Sequence, residues 1–282
     1  MNFKSIRQGQ FYINNVCNLA CSNCSSFNNL KFKGHLSWED SRDKIFKWRE
    51  ILTFEELAIL GGEPFSHPDL DTWVYNLRDL FPEVKDFRIT TNATLFSSNI
   101  DRIRSYLDKK IIIECSIHSR QQWQPTLEQI KTILGDRVVD TKYRDGGLFY
   151  YENDQPLFEV RPAWEFVNNS LEIIKNGVLY FHNSDPNIAH NACLWKDCHY
   201  FVNGNLYKCV VTATAGLLGQ QFSIYEKHQQ IISTIEFANP FDDIEKVINF
   251  IDKIEMVCPQ CTLCPEKVNF KEFNVQIKKL EL

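Results

Sequence analysis

The hydrophobic pattern of the first half of the chain alternates between two periods. Phe11-Tyr12-Ile13, Leu57-Ala58-Ile59-Leu60, Phe87-Arg88-Ile89-Thr90-Thr91 and Ile111 to Ser116 are short apolar runs with the character of buried strands. Between them apolar residues recur at helical spacing: Ile45, Trp48 and Leu52; Leu70, Trp73, Val74, Leu77 and Phe81; Ile100, Ile103 and Leu107; Leu127, Ile130 and Leu134. Ser37-Trp38-Glu39-Asp40 has the form of a capping box with Asp in the Glu/Gln place. Pro68 suits the first turn of the second helix, and Pro82 helps close it. Strand starts at Leu57, Phe87, Ile111 and Val138 recur roughly every 25–30 residues, the length of a βα unit. That alternation predicts a parallel sheet with covering helices, either doubly wound or barrel-like.

From about Asp140 to Asn191 the pattern fades. Asp145-Gly146-Gly147 and Asn176-Gly177 read as turns, and Leu171 to Lys175 as a short helix. Asn203-Gly204-Asn205 reads as a hairpin turn between Tyr200-Phe201-Val202 and Leu206-Tyr207. A last helix carries Ile244, Val247, Ile248, Ile251 and Ile254. These breaks divide the chain into residues 1–190 and 191–282.

Composition narrows the class. At 282 residues, 44% hydrophobic and 24% charged, this is an ordinary globular chain. A formal charge of −5 argues against nucleic acid held by bulk electrostatics. No run approaches the length of a membrane span, and the first residues lack the apolar core of a signal peptide. The expectation is a cytoplasmic protein with no membrane partner. In a reducing compartment structural disulfides are disfavoured, so ten cysteines need another use.

Nine of the ten fall in three groups: Cys17, Cys21 and Cys24; Cys193, Cys198 and Cys209; Cys258, Cys261 and Cys264. Cys115 stands apart in an apolar run and reads as a buried core thiol. Such spacings bring several thiolates to one centre, as zinc or iron–sulfur ligation requires. The first group supplies three thiolates within eight residues, where a structural zinc site wants four ligands. A four-iron cluster on three cysteines keeps one iron open for chemistry, although the spacing alone also fits a zinc half-site. Gly61-Gly62-Glu63-Pro64 follows the second strand. Its glycines permit a close backbone approach to a ligand, and Glu63 offers a carboxylate to a cationic amine. The glycines alone also fit a tight turn. Thr91-Asn92 and Ser116-Ile117-His118 end the next two strands with short polar side chains suited to a ribose.

With these residues in place, the chain resembles the radical S-adenosylmethionine (SAM) enzymes. It shows their C-x3-C-x2-C loop at Cys17, Cys21 and Cys24, and their GGE motif at Gly61, Gly62 and Glu63, over about residues 8–135. Asn23 departs from the aromatic residue usual before the third cysteine. The resemblance implies a partial (β/α)6 barrel with a four-iron four-sulfur cluster on Cys17, Cys21 and Cys24. It implies SAM on the open iron, with Glu63 on its amino group and Asn23, Gly61, Gly62, Thr91, Asn92 and Ser116 around it.

The later cysteines resemble the C-terminal auxiliary-cluster modules of this superfamily, named SPASM with two clusters and twitch with one. Two clusters would need eight thiolates and six are present, so the resemblance implies one auxiliary iron–sulfur cluster, of the four-iron type. Its ligands would be Cys198, Cys209, Cys258 and Cys261, with Cys264 competing for either of the last two places. Cys193 reads as a ligand, a catalytic thiol or a buried residue. The fold expected is therefore α/β, a partial barrel with a small C-terminal α+β domain.

The function expected is that of an oxidoreductase. SAM is cleaved to a 5′-deoxyadenosyl radical, which takes a hydrogen from a small hydroxylated, sugar- or cyclitol-like substrate. A peptide or protein substrate is the alternative within the class, and a zinc-stabilised binding module the alternative outside it. An external one-electron reductant such as flavodoxin or ferredoxin is implied as partner.

Overall fold

The structure is a computed structural model that describes residues 4–22, 24–167, 171–267, 270–272 and 275–277. Asn23 lies outside the described residues. The first half builds strand–helix units in order: β1 (Lys4–Asn14), the short β2 (Leu19–Cys21), α1 (Trp38–Arg49), β3 (Leu52–Gly61), α2 (Leu70–Leu80), β4 (Asp86–Thr91), α3 (Ile100–Asp108), β5 (Ile112–Ile117) and α4 (Arg120–Leu134). Ser37 caps α1 by accepting from the Asp40 N–H at 3.4 Å. Pro68 precedes the N-cap of α2, Asp69, and so lies outside that helix's first turn.

Beyond α4 the βα rhythm gives way to strands: β6 (Asp140–Arg144), β7 (Gly147–Glu152), β8 (Gln155–Pro162), β9 (Glu165–Val167), β10 (Leu171–Lys175) and β11 (Val178–Phe181). The strand expected from Val138 is β6, which runs antiparallel to β7. The parallel partner of β5 is β8 instead. Residues 171–175 are strand rather than helix, because Asn176 and Gly177 at φ 52° and 77° turn them back onto β11. Then come α5 (Pro186–Ala192), β12 (Cys198–Val202), β13 (Asn205–Tyr207), α6 (Val210–Gln221), β14 (Ser223–Ile224), α7 (Glu226–Ile232), β15 (Phe237–Ala238) and α8 (Ile244–Asp252). A 3-10 turn over Pro259–Leu263 and the strands β16 (Phe270–Glu272) and β17 (Val275–Ile277) follow.

One ten-stranded sheet has the order β15-β13-β12-β1-β3-β4-β5-β8-β7-β6. Its centre, from β12 to β8, is six parallel strands. This is a mixed α/β fold with a parallel-rich sheet, consistent with a partial barrel. The boundary expected at 190/191 falls inside α5, and β12 enters the sheet beside β1.

Alternation along the strands divides the sheet into two faces. Phe11 and Phe201 lie on the apolar face, stacked at 4.6 Å, and the Phe54 ring packs edge-on against both of them and against Phe81 of the covering layer. The opposite face carries Gln8, Gln10 and Tyr12 of β1, Glu56 of β3, Arg88 and Thr90 of β4, Glu114 of β5 and Glu159 and Arg161 of β8. These link laterally: Gln8 donates to Glu56 at 3.0 Å, Thr90 to Glu114 at 2.9 Å, and Arg88 to Glu159 at 3.2 Å. A face laced with charge in a parallel sheet is a place for a ligand rather than for packing.

Candidate functional site

The site begins where β1 and β3 end side by side. The Gly62 N–H donates to the Asn14 carbonyl at 2.6 Å, and the Glu63 N–H to the Val16 carbonyl at 2.8 Å. A Cβ on Gly62 would stand 2.1 Å from the Val16 oxygen and 2.9 Å from the Cys17 nitrogen. A Cβ on Gly61 would stand 2.5 Å from the Asn14 oxygen. The two glycines therefore admit the chain's own backbone, residues 14–17, where the sequence suggested an approaching ligand. Their effect is to clamp the start of the cysteine loop onto the end of β3. Asn14 reinforces the clamp, its amide donating to the Glu63 carbonyl at 2.7 Å and to Ser66 at 2.9 Å.

Glu63 is fully buried. Its carboxylate accepts from the Thr91 hydroxyl at 2.7 Å, the Asn92 N–H at 2.8 Å and the Phe65 N–H at 3.0 Å. Burial pushes its pKa up to about 7, against the lowering effect of these three donors. A carboxylate has about four lone-pair sites, so one acceptor position is left for a further donor such as an amine. Asn92 joins the acid to the cysteine loop: its side-chain amide donates to Asn18 at 2.9 Å and lies 3.9 Å from the Cys17 sulfur. Asn18 in turn donates to Thr94 at 2.7 Å. Ser116 sits near the end of β5 in register with Arg161 of β8.

Cys17 and Cys24 both stand within electrostatic reach of the Tyr12 hydroxyl. The Asn28 amide holds that hydroxyl at 2.9 Å and the Asn15 carbonyl at 2.8 Å, shaping the return of the loop. Cys21 is buried on β2. Among the described residues, no three His, Cys, Asp or Glu side chains converge as ligands of a single metal ion would. A four-iron cluster takes each thiolate on a different iron, so three separated thiols on one loop fit it as donors.

The second and third cysteine groups meet. The hairpin turn forms as expected, with Asn203 and Gly204 at φ 49° and 70°, and puts Cys198 and Cys209 at one end of the β12–β13 ribbon. Cys258 and Cys261 lie 3.7 Å apart, sulfur to sulfur. The hydrogen bond from Cys258 lowers the Cys261 thiol below the ordinary range of a cysteine. Cys193, Cys209, Cys261 and Cys264 all act on one another electrostatically, and Cys258 acts on Cys209 and Cys261. Cys198 donates its thiol to Gln8 on the polar face of the sheet, and of the other thiols in these two groups it is within electrostatic reach of Cys193. Burial pushes its pKa up to about 12. Tyr200 is within electrostatic reach of Cys198 and Cys209 of the late groups and of Cys24 of the first group. No disulfide joins any of the ten cysteines.

Other candidates resolve simply. Cys115 is a buried core thiol. His67 braces the loop before α1, with a ring nitrogen 3.0 Å from the Leu36 carbonyl. Burial holds His118 at about 4, hence neutral at pH 7. Trp164 packs edge-on to Trp123 at 5.7 Å under the Arg120 guanidinium. Sequence reasoning missed Asn14, Asn18 and Asn28, although asparagines crowding a cysteine loop are a usable signal, since they bond backbone that no ladder satisfies. It also passed over Lys208, buried immediately before Cys209.

No curated protein matches this sequence. Among solved structures, anSMEcpe with bound AdoMet and the Cp18Cys peptide is similar at 15% identity and a TM-score of 0.36, covering 46% of this chain and 41% of that one. Streptococcus suis SuiB bound to S-adenosylmethionine is similar at 17% identity and a TM-score of 0.32, over 47% of this chain and 40% of its own. SuiB bound to its precursor peptide SuiA gives 16% and 0.31, over 47% and 38%. The chain thus spans about two-fifths of the length of the solved chains it resembles. Among the described residues no helix is long and apolar enough to cross a membrane. The family model of the Radical SAM superfamily matches residues 11–134, a stretch that holds the cysteine loop, the Gly61-Gly62-Glu63 clamp and the ends of β4 and β5. The chain therefore carries a radical SAM domain, with the S-adenosylmethionine and four-iron four-sulfur cluster that this superfamily binds.

Proposed function

We propose that this chain is a radical SAM oxidoreductase whose cluster is held by Cys17, Cys21 and Cys24. When bound and reduced, the cluster supplies the electron that splits SAM into methionine and a hydrogen-abstracting 5′-deoxyadenosyl radical. The observation that carries this reading is the clamp of Gly61-Gly62-Glu63 onto residues 14–17, which joins the buried carboxylate, Asn92 and Cys17 in one network. In it Glu63 receives the SAM amino group on its remaining acceptor site. Thr91 and the Asn92 N–H fix the carboxylate in place. The Asn92 amide orients Asn18 and the start of the loop, Gly61 and Gly62 hold that loop against the end of β3, and Ser116 borders the nucleoside. The second and third cysteine groups together would hold an auxiliary iron–sulfur cluster within residues 191–282, a centre suited to accept an electron in an oxidation. The primary electron would come from an external reductant of the flavodoxin or ferredoxin type.

The polar face of the sheet supports a substrate rich in donors and acceptors, such as a small sugar- or cyclitol-like alcohol. A peptide substrate is the second reading, favoured by the outer edge of β6. All five of its residues are exposed, and among the described residues nothing pairs with that edge, so an extended segment could add to it. Anaerobic incubation with SAM, reductant and two libraries, polyols and peptides, tests both readings. The library that raises 5′-deoxyadenosine formation names the class, and no 5′-deoxyadenosine with either would sink the proposal.

A further inference from the structure

We propose that Lys208 is the buried counter-charge of an anionic metal–thiolate centre drawn from Cys193, Cys209, Cys258, Cys261 and Cys264, and that Cys198 is not one of its ligands. The inference rests on the auxiliary-centre reading above and changes its ligand set. Lys208 is only 8% exposed. Its ammonium donates to the carbonyls of Ile254, at 2.5 Å, and Met256, just ahead of Cys258. Both partners are neutral, and among the described residues no carboxylate forms an ion pair with it. A buried cation without an anion is strongly unfavourable, so this arrangement calls for negative charge nearby. The groups within its electrostatic reach are the His199 ring, whose pKa burial lowers, and four thiols that can carry negative charge: Cys193, Cys209, Cys258 and Cys261. Thiolates bound to a metal would carry that charge at every working pH.

Backbone geometry converges on the same set. Cys209 is the N-cap of α6 and follows Lys208 directly, so one residue tethers the chain at Cys258 while its neighbour presents a thiol to it. Cys193 caps the end of α5, and the segment before that helix is stapled to the Pro259–Leu263 turn. The staple consists of Ser184 donating to the Thr262 carbonyl at 3.1 Å and the Thr262 hydroxyl donating back at 2.6 Å. Cys198 is within electrostatic reach of Cys193 alone among these thiols, and its own thiol is engaged by Gln8 of the sheet.

The test uses the full chain carrying Cys17→Ala, Cys21→Ala and Cys24→Ala, so that only the second centre remains, reconstituted anaerobically with iron and sulfide. Into it go Lys208→Gln, which keeps donors for the two carbonyls but no charge, and Lys208→Met, Lys208→Arg, Cys198→Ser and Cys193→Ser. Loss of a nearby positive charge disfavours the reduced, more negative state. EPR-monitored redox titration should therefore show a more negative potential for Lys208→Gln and Lys208→Met and the parent potential for Lys208→Arg. Cys198→Ser should keep full metal and Cys193→Ser should lose it. A folded Lys208→Gln with the parent potential would reduce Lys208 to a structural tether, and metal loss in Cys198→Ser would restore the other ligand set. If the parent takes up zinc and no iron, the iron–sulfur reading fails by itself. The counter-charge is then read by chelator competition, where zinc affinity should fall about ten- to hundredfold in Lys208→Gln and hold in Lys208→Arg. A parent that binds neither metal overturns both.

Discussion

Glu63 concentrates the chemistry of the site in one side chain. Its pKa, raised by burial to about 7, lies above the value of 4.5 it would have unfolded. The folded protein therefore holds this proton more tightly than the unfolded chain, and its contribution favours folding at low pH. That contribution is complete below about 4.5 and fades as pH rises through about 7, by roughly 1–3 kcal/mol. Chemical denaturation of the ligand-free protein between these pH values should show the decline, and Glu63→Gln should flatten it. Binding a cationic amine reverses the preference, because the charge favours the carboxylate. SAM affinity measured by calorimetry should rise with pH through about 7 in the parent and lose that dependence in Glu63→Gln. The same variant should bind SAM about one to two orders of magnitude more weakly, the equivalent of one charge-assisted hydrogen bond of roughly 1.5–3 kcal/mol. Equal affinities would leave Glu63 as a strand-end brace. The identity of this residue was readable from its motif, but its surroundings were not. Thr91 and Asn92, which suggested a ribose, turn their donors on Glu63, because a buried carboxylate takes the nearest hydroxyl and N–H before any ligand does.

At the scale of elements, two contacts decide whether the cysteine segments stand where chemistry needs them. The first is the backbone clamp at Gly62, where an added methyl would collide with the Val16 carbonyl and Cys17 nitrogen, neither of which can swing aside. Gly62→Ala should destabilise the protein by about 2 kcal/mol or more and lower the iron retained by the loop, as read by thermal unfolding and iron analysis. A stable variant with full iron would show that the loop does not depend on β3. The second is the docking of the β12–β13 hairpin on α1, where the buried Trp48 indole donates to the Gly204 carbonyl at 2.8 Å. Trp48→Phe leaves that carbonyl unsatisfied and should lower stability by about 1–3 kcal/mol in thermal melts. Periodicity located α1 to α4, α8 and the hairpin because each pattern is local, but it passed over α5, α6 and α7. It failed at Leu171 to Lys175, where five residues are too few for a period to separate helix from strand and the turn at Asn176-Gly177 decides. It also mistook β6 for the next parallel strand, since an antiparallel insertion has the same alternation and only its partner reveals it.

Over the whole molecule, the parallel pairing of β12 with β1 brings the late cysteines to the sheet that carries the early ones. No sequence period encodes that step, because it joins residues 190 positions apart, such as Gln8 and Cys198. It explains why Tyr200 is within reach of Cys198 and Cys209 and also of Cys24, and why the Cys198 thiol meets Gln8 of β1. The radical SAM half was legible because its motif residues lie within a few positions of one another or at successive strand ends. The ligand set of the second group was not, because spacing says which thiols are near in sequence but not which way each points. On this reading the clamped loop makes a SAM-cleaving iron centre. The most direct test is anaerobic reconstitution of the parent and of the Cys17→Ala, Cys21→Ala, Cys24→Ala chain, with iron content and 5′-deoxyadenosine measured after reductant and SAM are added. The parent should form 5′-deoxyadenosine, while the variant should carry about four fewer irons per chain and form none. Full iron and undiminished 5′-deoxyadenosine in the variant, or none from an iron-loaded parent, would contradict the account.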